Sequence, residues 1–272
     1  MNFTIPYLPE RTKKPRETGL NMVMDKGLSI REVEDLISSG SDYIDIAKFG
    51  FGTAFITKNL ETKIKLYKEA NIRPYFGGTL FEAFISRGLF KDYLKLIDKY
   101  KLDLAEISDG SIKMEHDEKC NFIKKLASKV TVLSEVGSKE AGILISPNRW
   151  IKMMQSELDA GAWKVIAEAR ESGNVGIYRP NSSPHVALVN KILAKIPQEK
   201  IMWETPQKAQ QVWFIKLLGA NVNLGNIATN EVISVETIRL GLRGDTFLSF
   251  LPTDLQEKLK QNVEVSMSEK EA

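Results

Sequence analysis

The sequence predicts a single (β/α)8 barrel, an α/β fold, from two observations. Eight short apolar runs alternate with helical patterns along the 272 residues, and the ends of the runs recur roughly every 20 to 35 residues. Most runs are continuously apolar rather than alternating, which is typical of strands that helices cover. The predicted strands are residues 19–25, 43–48, 73–76, 102–107, 130–136, 163–167, 200–203 and 221–224.

A doubly wound open sheet is the alternative fold for the same alternation of strands and helices. Such a sheet usually carries a glycine-rich turn after its first strand. Here that place is occupied by Asp25-Lys26-Gly27, which is not that motif. The barrel is therefore the favoured fold.

Three of the predicted helices begin at recognisable start signals. Ser29 and Glu32 form a capping box before an apolar helical pattern. Ser183-Pro184 and Thr205-Pro206 each place an N-cap residue before a proline at the first helical position. We expect helices to begin at these points, after the first, sixth and seventh strands.

The two ends of the chain differ in composition from the barrel. Residues 1–18 are rich in proline and polar residues, so we expect an N-terminal arm. Residues 19–250 form the predicted barrel, which is one domain. Residues 251–272 contain a predicted helix at 253–261 and then a charged tail that we expect to be disordered.

Composition narrows the classes of function. The net charge of +3 is too small to indicate binding to nucleic acid. No apolar stretch approaches the length of a membrane span, and the N-terminus lacks a signal-peptide core, so we expect no membrane segment. The single cysteine, Cys120, excludes an intrachain disulfide and fits a cytoplasmic protein. With only two histidines, any metal site would need oxygen ligands, which favours Mg²⁺ over zinc.

Four acidic residues, Glu106, Glu135, Glu168 and Glu204, end four successive apolar runs. A carboxylate inside an apolar strand is costly unless it is paired or bound to a metal. In a barrel the C-terminal ends of the strands converge on one mouth. We therefore expect a ring of acids around Mg²⁺, of which one or two bind the ion directly. The alternative is a set of salt-bridged strand ends.

Basic residues accompany these acids at the predicted mouth. Lys26 and Lys48 end the first two strands, and Arg170 follows the sixth. They exceed what packing requires and indicate a substrate that carries phosphate or carboxylate. The alternative for the two lysines is an ion pair with Asp25 and Asp45.

The loops after the eighth strand are a second candidate for binding an anion. Asn226, Arg243 and Gly244 follow this strand, where barrels often hold phosphate. We expect these residues to contact a phosphate group. The alternative role for Asn226 is to cap a helix.

Taken together, the motifs at the strand ends resemble those of the phosphosulfolactate synthase family of coenzyme M biosynthesis. The resemblance extends from about residue 19 to residue 247. The motifs are Met24-Asp25-Lys26-Gly27, Asp42-Tyr43-Ile44-Asp45, Lys48-Phe49-Gly50, Gly77-Gly78-Thr79-Leu80-Phe81-Glu82, Glu106-Ile107-Ser108-Asp109-Gly110, Glu135-Val136-Gly137, Arg170-Glu171-Ser172-Gly173, Pro206-Gln207-Lys208 and Gly241-Leu242-Arg243-Gly244-Asp245-Thr246.

The resemblance implies a TIM barrel that requires Mg²⁺ and adds sulfite to phosphoenolpyruvate, giving phosphosulfolactate. Enzymes of this kind are classed as carbon–sulfur lyases. The resemblance also implies a homo-oligomer, a trimer, whose partners are small-molecule substrates. The downstream product, whether coenzyme M, sulfolactate or another sulfonate, stays open.

The resemblance also implies a catalytic lysine just after Glu-Val-Gly, which places this role on Lys139. The archaeal pattern has two adjacent lysines there, whereas this chain has Ser138 at the first position, and residues 140–145 also differ. Lys139 would deliver a proton to C2 of the substrate. Arg170, Lys48 and Lys26 would hold phosphate and sulfite.

Two alternative functions remain at this point. One is another Mg²⁺-dependent reaction of a phosphorylated enol or keto acid, such as an aldolase-type step. The other is a non-catalytic barrel, because the same fold family includes heat-stress-associated plant proteins.

Overall fold

The computed structural model describes residues 2–137 and 145–259, and its centre is one sheet of parallel strands. The strands are β1 (Asn21–Asp25), β2 (Ile46–Phe49), β3 (Arg73–Phe76), β4 (Leu104–Ile107), β5 (Thr131–Val136), β6 (Lys164–Ala167), β7 (Ile201–Glu204) and β8 (Leu224–Ala228). Their spatial order is β3-β2-β1-β8-β7-β6-β5-β4. The outer strands β3 and β4 face each other, and the Tyr75 hydroxyl donates to Glu106 across them. The sheet therefore closes into the predicted barrel.

Helices surround the sheet and connect its strands. In the described residues they are α1 (Ile30–Gly40), α2 (Leu60–Glu69), α3 (Gly78–Ile85), α4 (Phe90–Lys99), α5 (His116–Ala127), α6 (Pro147–Asp159), α7 (Val186–Leu193), α8 (Lys208–Leu218) and α9 (Val232–Arg239), and residues 253–259 are also helical. The predicted capping box at α1 is confirmed, because Ser29 accepts from Glu32 N and Glu32 accepts from Ser29 N. The end of the predicted tail lies outside the described residues.

Two predicted helix starts are wrong for the same reason, which is that extended pairing reaches the predicted N-cap or the residue after it. Tyr178 and Pro184 form an antiparallel bridge, so α7 begins at Val186. Thr205 N still donates to Gly225 O at 2.9 Å, so α8 begins at Lys208.

The eighth strand begins three residues later than its predicted start at residue 221. Asn221 accepts a hydrogen bond from Arg11 of the arm, and Asn223 donates to Ile201 O at 3.0 Å. The pairing of β8 with β1 shifts register within β8, around Asn226. Such a bulge changes the direction in which the side chain of the bulged residue points.

Side chains that point into the barrel form two layers. The layer nearer the N-terminal ends of the strands is apolar, and it consists of Leu20, Met22, Ile46, Tyr75, Leu104, Leu133, Ile166 and Met202. Because side chains of a strand alternate between faces, the residue two positions further along also points inward. From β2 and β4–β7, those next residues are Lys48, Glu106, Glu135, Glu168 and Glu204. The charged side chains thus lie directly above an apolar layer.

The arm packs against the N-terminal end of the barrel. Arg11 pairs with Glu236 of α9 at 2.7 Å, and Arg16 pairs with Asp45 at 2.9 Å. The arm therefore covers the end of the barrel that lies opposite the predicted mouth. Within the part of the chain that the structure describes, no helix is both long and apolar enough to cross a membrane.

Arg239 of α9 joins β1 and β8 at this same end. Its side chain is fully buried. It donates to the backbone oxygens of Ala220 and Val222, each at 2.7 Å, and to Asn21 Oδ1 at 2.8 Å. One buried guanidinium therefore satisfies acceptors at the point where the first and last strands meet.

We predict that Arg239→Met lowers the free energy of unfolding. Each buried acceptor that loses its donor costs about 1–3 kcal/mol. Urea unfolding measures the loss. Lys95→Met is the control, because the ion pair of Lys95 with Asp92 is exposed and contributes little. Equal unfolding free energies for the two variants would contradict this role of Arg239.

Candidate active site

The four predicted acids converge at the C-terminal ends of β4 to β7. Glu106, Glu135 and Glu204 end their strands or lie one residue before the end, and Glu168 follows β6 directly. All four side chains are buried. One oxygen each from Glu135, Glu168 and Glu204 lies within 4.8 Å of the other two. These three carboxylates, called the acid cluster below, share one point of the mouth.

Lys48 of β2 lies beside the acid cluster. Its Nζ is 3.0 Å from Glu106 Oε2, 3.6 Å from Glu135 Oε2 and 3.5 Å from Glu204 Oε1. Burial alone would lower the pKa of Lys48, but the three carboxylates raise it well above the ordinary lysine value. Lys48 is therefore a permanent cation of the site. The alternative pairing with Asp45 is wrong, since Asp45 binds Arg16.

Glu106 is held differently from the acid cluster. Its Oε1 accepts from Gly78 N at 2.6 Å, at the start of α3, and its Oε2 accepts from Tyr75 Oη at 2.5 Å and contacts Lys48. A side chain on Gly78 would place its Cβ only 2.8 Å from Glu106 Oε1, so glycine permits this approach. Both carboxylate oxygens of Glu106 thus have strong partners, and Glu106 anchors Lys48.

Backbone amides orient the carboxylates of Glu204 and Glu168. Glu204 Oε2 accepts from Ala169 N at 2.9 Å, and Glu168 Oε1 accepts from Arg170 N at 2.5 Å. Burial, with further contributions from Glu135 and Glu106, raises the pKa of Glu204 to about 7, although Lys48 and the Ala169 amide oppose the shift. Lys48 carries a single positive charge, so it does not by itself balance the carboxylates around it.

The acid cluster fits a small divalent cation. Its donors are all oxygens, and like-charged carboxylates this close repel one another unless a cation lies between them. Mg²⁺ takes one or two carboxylates directly and keeps several waters, so three acids suffice. Glu135, Glu168 and Glu204 are the residues that could hold it.

A cavity of about 400 Å³ opens above the acids, which is large enough for a small phosphorylated acid. Its polar rim comes from β8, from the start of α3 and from the loops that follow β4 and β6. The rim residues are Thr79, Ser111, Arg170, Glu171, Ser172 and Asn226. The site is therefore assembled from much of the barrel rather than from one motif.

Asn226 reaches this cavity because of the bulge in β8. Its backbone is left-handed, with φ at 54°. The preceding residue is Gly225, where a Cβ would lie 2.7 Å from Met22 Cε, so the strand passes close to the inner apolar layer. Asn226 is buried, and within the described residues its Oδ1 has no hydrogen-bond partner. Its amide is thus available to a ligand, and it does not cap a helix.

Lys26 lies at the edge of the mouth, where it pairs with Glu171 and is half exposed. Its alternative partner, Asp25, is instead buried against Lys63 at 2.8 Å and Tyr67 at 2.9 Å. The pairing of Lys26 with Asp25 is therefore wrong. Lys26 contacts the rim through Glu171 rather than through the acid cluster.

The structure does not bring Arg243 and Gly244 to the cavity. They lie in the turns after α9, next to Asp245, which pairs with Lys208 at 2.6 Å. Neither is among the described residues that line the cavity. Lys139 lies outside the described residues, which end at Gly137 and resume at Ile145.

Comparison with known proteins identifies the family. Residues 9–245 match the sequence profile of the (2R)-phospho-3-sulfolactate synthase family. The chain belongs to this family. It is 42% identical over 250 residues to the phosphosulfolactate synthase of Bacillus subtilis, covering 91% of this chain and 99% of that one. It is 40% identical over 244 residues to the enzyme of Methanothermobacter thermautotrophicus, covering 88% and 95%.

Solved structures support the fold of this family member. The 3-hexulose-6-phosphate synthase of Salmonella typhimurium superposes with a TM-score of 0.53 at 14% identity, over 82% of this chain and 100% of that one. At this level of identity the similarity shows the barrel fold alone. The resemblance to phosphosulfolactate synthases read from the sequence is confirmed by the family profile and the relatives.

Sequence reasoning assigned no role to Tyr75 or Ser111. Tyr75 has an inward position on β3, and a buried tyrosine hydroxyl needs a partner, which is Glu106. The place of Tyr75 in the predicted strand 73–76 is a signal from which an inward, hydrogen-bonded tyrosine could be predicted. Ser111 lies four residues past β4 in a loop, where no pattern in the sequence predicts that it lines the cavity.

We predict that Lys48→Met destabilises the protein by about 3–5 kcal/mol, because it leaves buried carboxylates without their cation. Adding Glu106→Gln should recover part of this loss, since it removes one uncompensated charge. Urea unfolding of both single variants and the double variant in a chelator measures the coupling. Strictly additive losses would show that Lys48 and Glu106 do not depend on each other.

Proposed function

We propose that the chain catalyses the Mg²⁺-dependent addition of sulfite to phosphoenolpyruvate, which gives phosphosulfolactate. The observation that carries this proposal is the acid cluster, buried beside Lys48 at the mouth of a barrel of this family. A carboxylate cluster without histidine or cysteine is suited to a hard cation and to oxyanion substrates. The names of the relatives state the synthesis of phosphosulfolactate, which is the product of the proposed reaction.

One or two of Glu135, Glu168 and Glu204 would hold Mg²⁺, and the others would hold its waters. When bound, Mg²⁺ supplies positive charge that stabilises the negative charge developing on the substrate carboxylate. Lys48 lowers the net negative charge of the wall beneath the substrate. Both substrates are anions, so this reduction favours their approach.

Arg170 and Asn226 are the candidates for binding the phosphate or sulfite oxygens from above. Arg170 follows Glu168 on the rim, and its guanidinium can donate two hydrogen bonds to one oxyanion. Asn226 contributes a neutral amide from β8. Together they would orient phosphoenolpyruvate with its C3 open to sulfite.

The reaction needs a nucleophile at C3 and a proton at C2. Sulfite forms the new carbon–sulfur bond at C3 through its sulfur lone pair, and the electrons of the C2–C3 double bond move toward the carboxylate. A proton then arrives at C2, and the phosphate ester stays intact. We assign delivery of this proton to Lys139 from the family pattern. Lys26, through Glu171, and the distant Arg243 and Gly244 stay weaker candidates for binding anions.

We also propose that the protein is a cytoplasmic homo-oligomer, with a trimer as the family expectation. Phe55 and Ile56, in the loop after β2, are 84% and 78% exposed. Large exposed apolar side chains next to each other support a contact with another copy. Light scattering of the purified protein measures the mass.

The proposed activity predicts that phosphoenolpyruvate disappears only when sulfite and Mg²⁺ are both present. Purified protein is incubated with phosphoenolpyruvate and each combination of the other two components, and products are identified by mass spectrometry. A chelator should abolish the reaction, and added Mg²⁺ should restore it. Consumption of phosphoenolpyruvate without sulfite would indicate a different lyase or aldolase-type reaction, and no consumption would indicate a non-catalytic barrel.

Lys139→Ala should lower the rate of sulfite addition by about 10²–10⁴-fold, the range for loss of one general acid. Lys139→Arg should restore little, since guanidinium hardly releases its proton. Circular dichroism checks that the fold is kept. The matched control is Lys113→Ala, an exposed lysine in the loop after β4, which should keep the wild-type rate. A near-normal rate for Lys139→Ala would assign the proton to another group.

A further inference from the structure

Lys119 is a fully buried lysine of α5 that reaches the end of β5 from outside the barrel. Its Nζ donates to the backbone oxygen of Glu135 at 2.5 Å. The same Nζ contacts Asp109 Oδ1 at 2.9 Å, just after β4, and Glu157 Oε1 at 3.0 Å, on α6. One side chain therefore joins two helices to the ends of two neighbouring strands.

The position of the Glu135 carbonyl explains why a donor is needed there. The ladder between β4 and β5 ends at the pair of Ile107 and Ser134, one residue before Glu135. At the next residue, Val136 O accepts from Glu168 N of the neighbouring segment. Lys119 supplies a donor to the Glu135 carbonyl, beyond the last pair of this ladder.

A lysine is a costly choice for this buried position. Burial alone would lower the pKa of Lys119, whereas Glu157 and Asp109 raise it well above the ordinary value, so the side chain stays charged. Replacing such buried ion pairs with apolar residues of similar size is often neutral or stabilising. Packing alone therefore does not account for Lys119.

We propose that Lys119 is a positioning residue for the metal site, acting through Glu135. By fixing the backbone at Glu135, it sets the direction in which this carboxylate enters the acid cluster. Groups that orient metal ligands typically change metal affinity or activity about 10–100-fold when they are removed. The inference rests on the proposed function, because it assigns Mg²⁺ to the acid cluster.

The variants must separate positioning from a loss of stability. Lys119→Met alone removes the ammonium that faces the buried Glu157, so the main variant is Lys119→Met with Glu157→Gln. Glu157→Gln alone keeps the donor to the Glu135 carbonyl. Arg239→Met is the matched control, because it also removes a buried cation that binds backbone oxygens, but at the opposite end of the barrel.

The experiment measures Mg²⁺ affinity by calorimetry and the Mg²⁺ concentration for half-maximal sulfite addition, with urea unfolding of each variant in parallel. In the double variant, the dissociation constant for Mg²⁺ and the Mg²⁺ concentration for half-maximal sulfite addition should both rise about 10–100-fold. Glu157→Gln and Arg239→Met should keep the wild-type values of both. Wild-type affinity in the double variant would overturn the proposal. Equal weakening in Arg239→Met would overturn it too, because the effect would then follow stability.

The same measurements separate this proposal from the proposed function. If the wild type binds Mg²⁺ but does not add sulfite to phosphoenolpyruvate, the proposed reaction fails, and weaker calorimetric binding in the double variant still supports Lys119. If the wild type binds no Mg²⁺, the metal site and the role of Lys119 both fail.

Discussion

The mouth of this barrel depends on one interaction, the ion pairing of buried Lys48 with carboxylates from neighbouring strands. Carboxylates above an apolar layer are costly unless a cation accompanies them. Lys48 contacts Glu106, Glu135 and Glu204 at 3.0–3.6 Å and so lets these strands end close together. One ammonium does not balance all the acids, and burial, with further contributions from Glu135 and Glu106, raises the pKa of Glu204 to about 7. This remaining negative charge is what suits the mouth to a divalent cation.

The surrounding structure divides the acids into two roles. Glu106 is fixed by Tyr75 and by the first amide of α3, so it holds Lys48 in place. The acid cluster faces the cavity instead, with backbone amides or the Lys119 contact fixing its direction. At the opposite end, Arg239 and the arm close the barrel. The candidate site thus lies at the C-terminal ends of the strands, as is usual in barrels.

Much of the fold and part of the site could be predicted, because a strand assignment also determines, through its period of two, which side chains enter the barrel. The convergence of the four acids is a consequence of their places at strand ends. The partners of Lys48 could not be predicted. The sequence pattern does not show whether a strand-end lysine pairs with the nearby Asp45 or with acids on strands far along the chain. The sequence does not predict the bulge at Asn226, because glycine and asparagine are poor strand formers. The expectation that Arg243 contacts phosphate rests on analogy with other barrels, and its loop does not line the cavity.

The central claim is that the acid cluster binds the metal while Lys48 stays against Glu106. A crystal structure of the protein with Mn²⁺ in place of Mg²⁺ tests it most directly, because Mn²⁺ takes similar oxygen ligands and scatters anomalously. The account predicts an anomalous peak between Glu135, Glu168 and Glu204, with the Lys48 ammonium still at hydrogen-bond distance from Glu106. A peak elsewhere, or an ion that displaces Lys48 from Glu106, would contradict it.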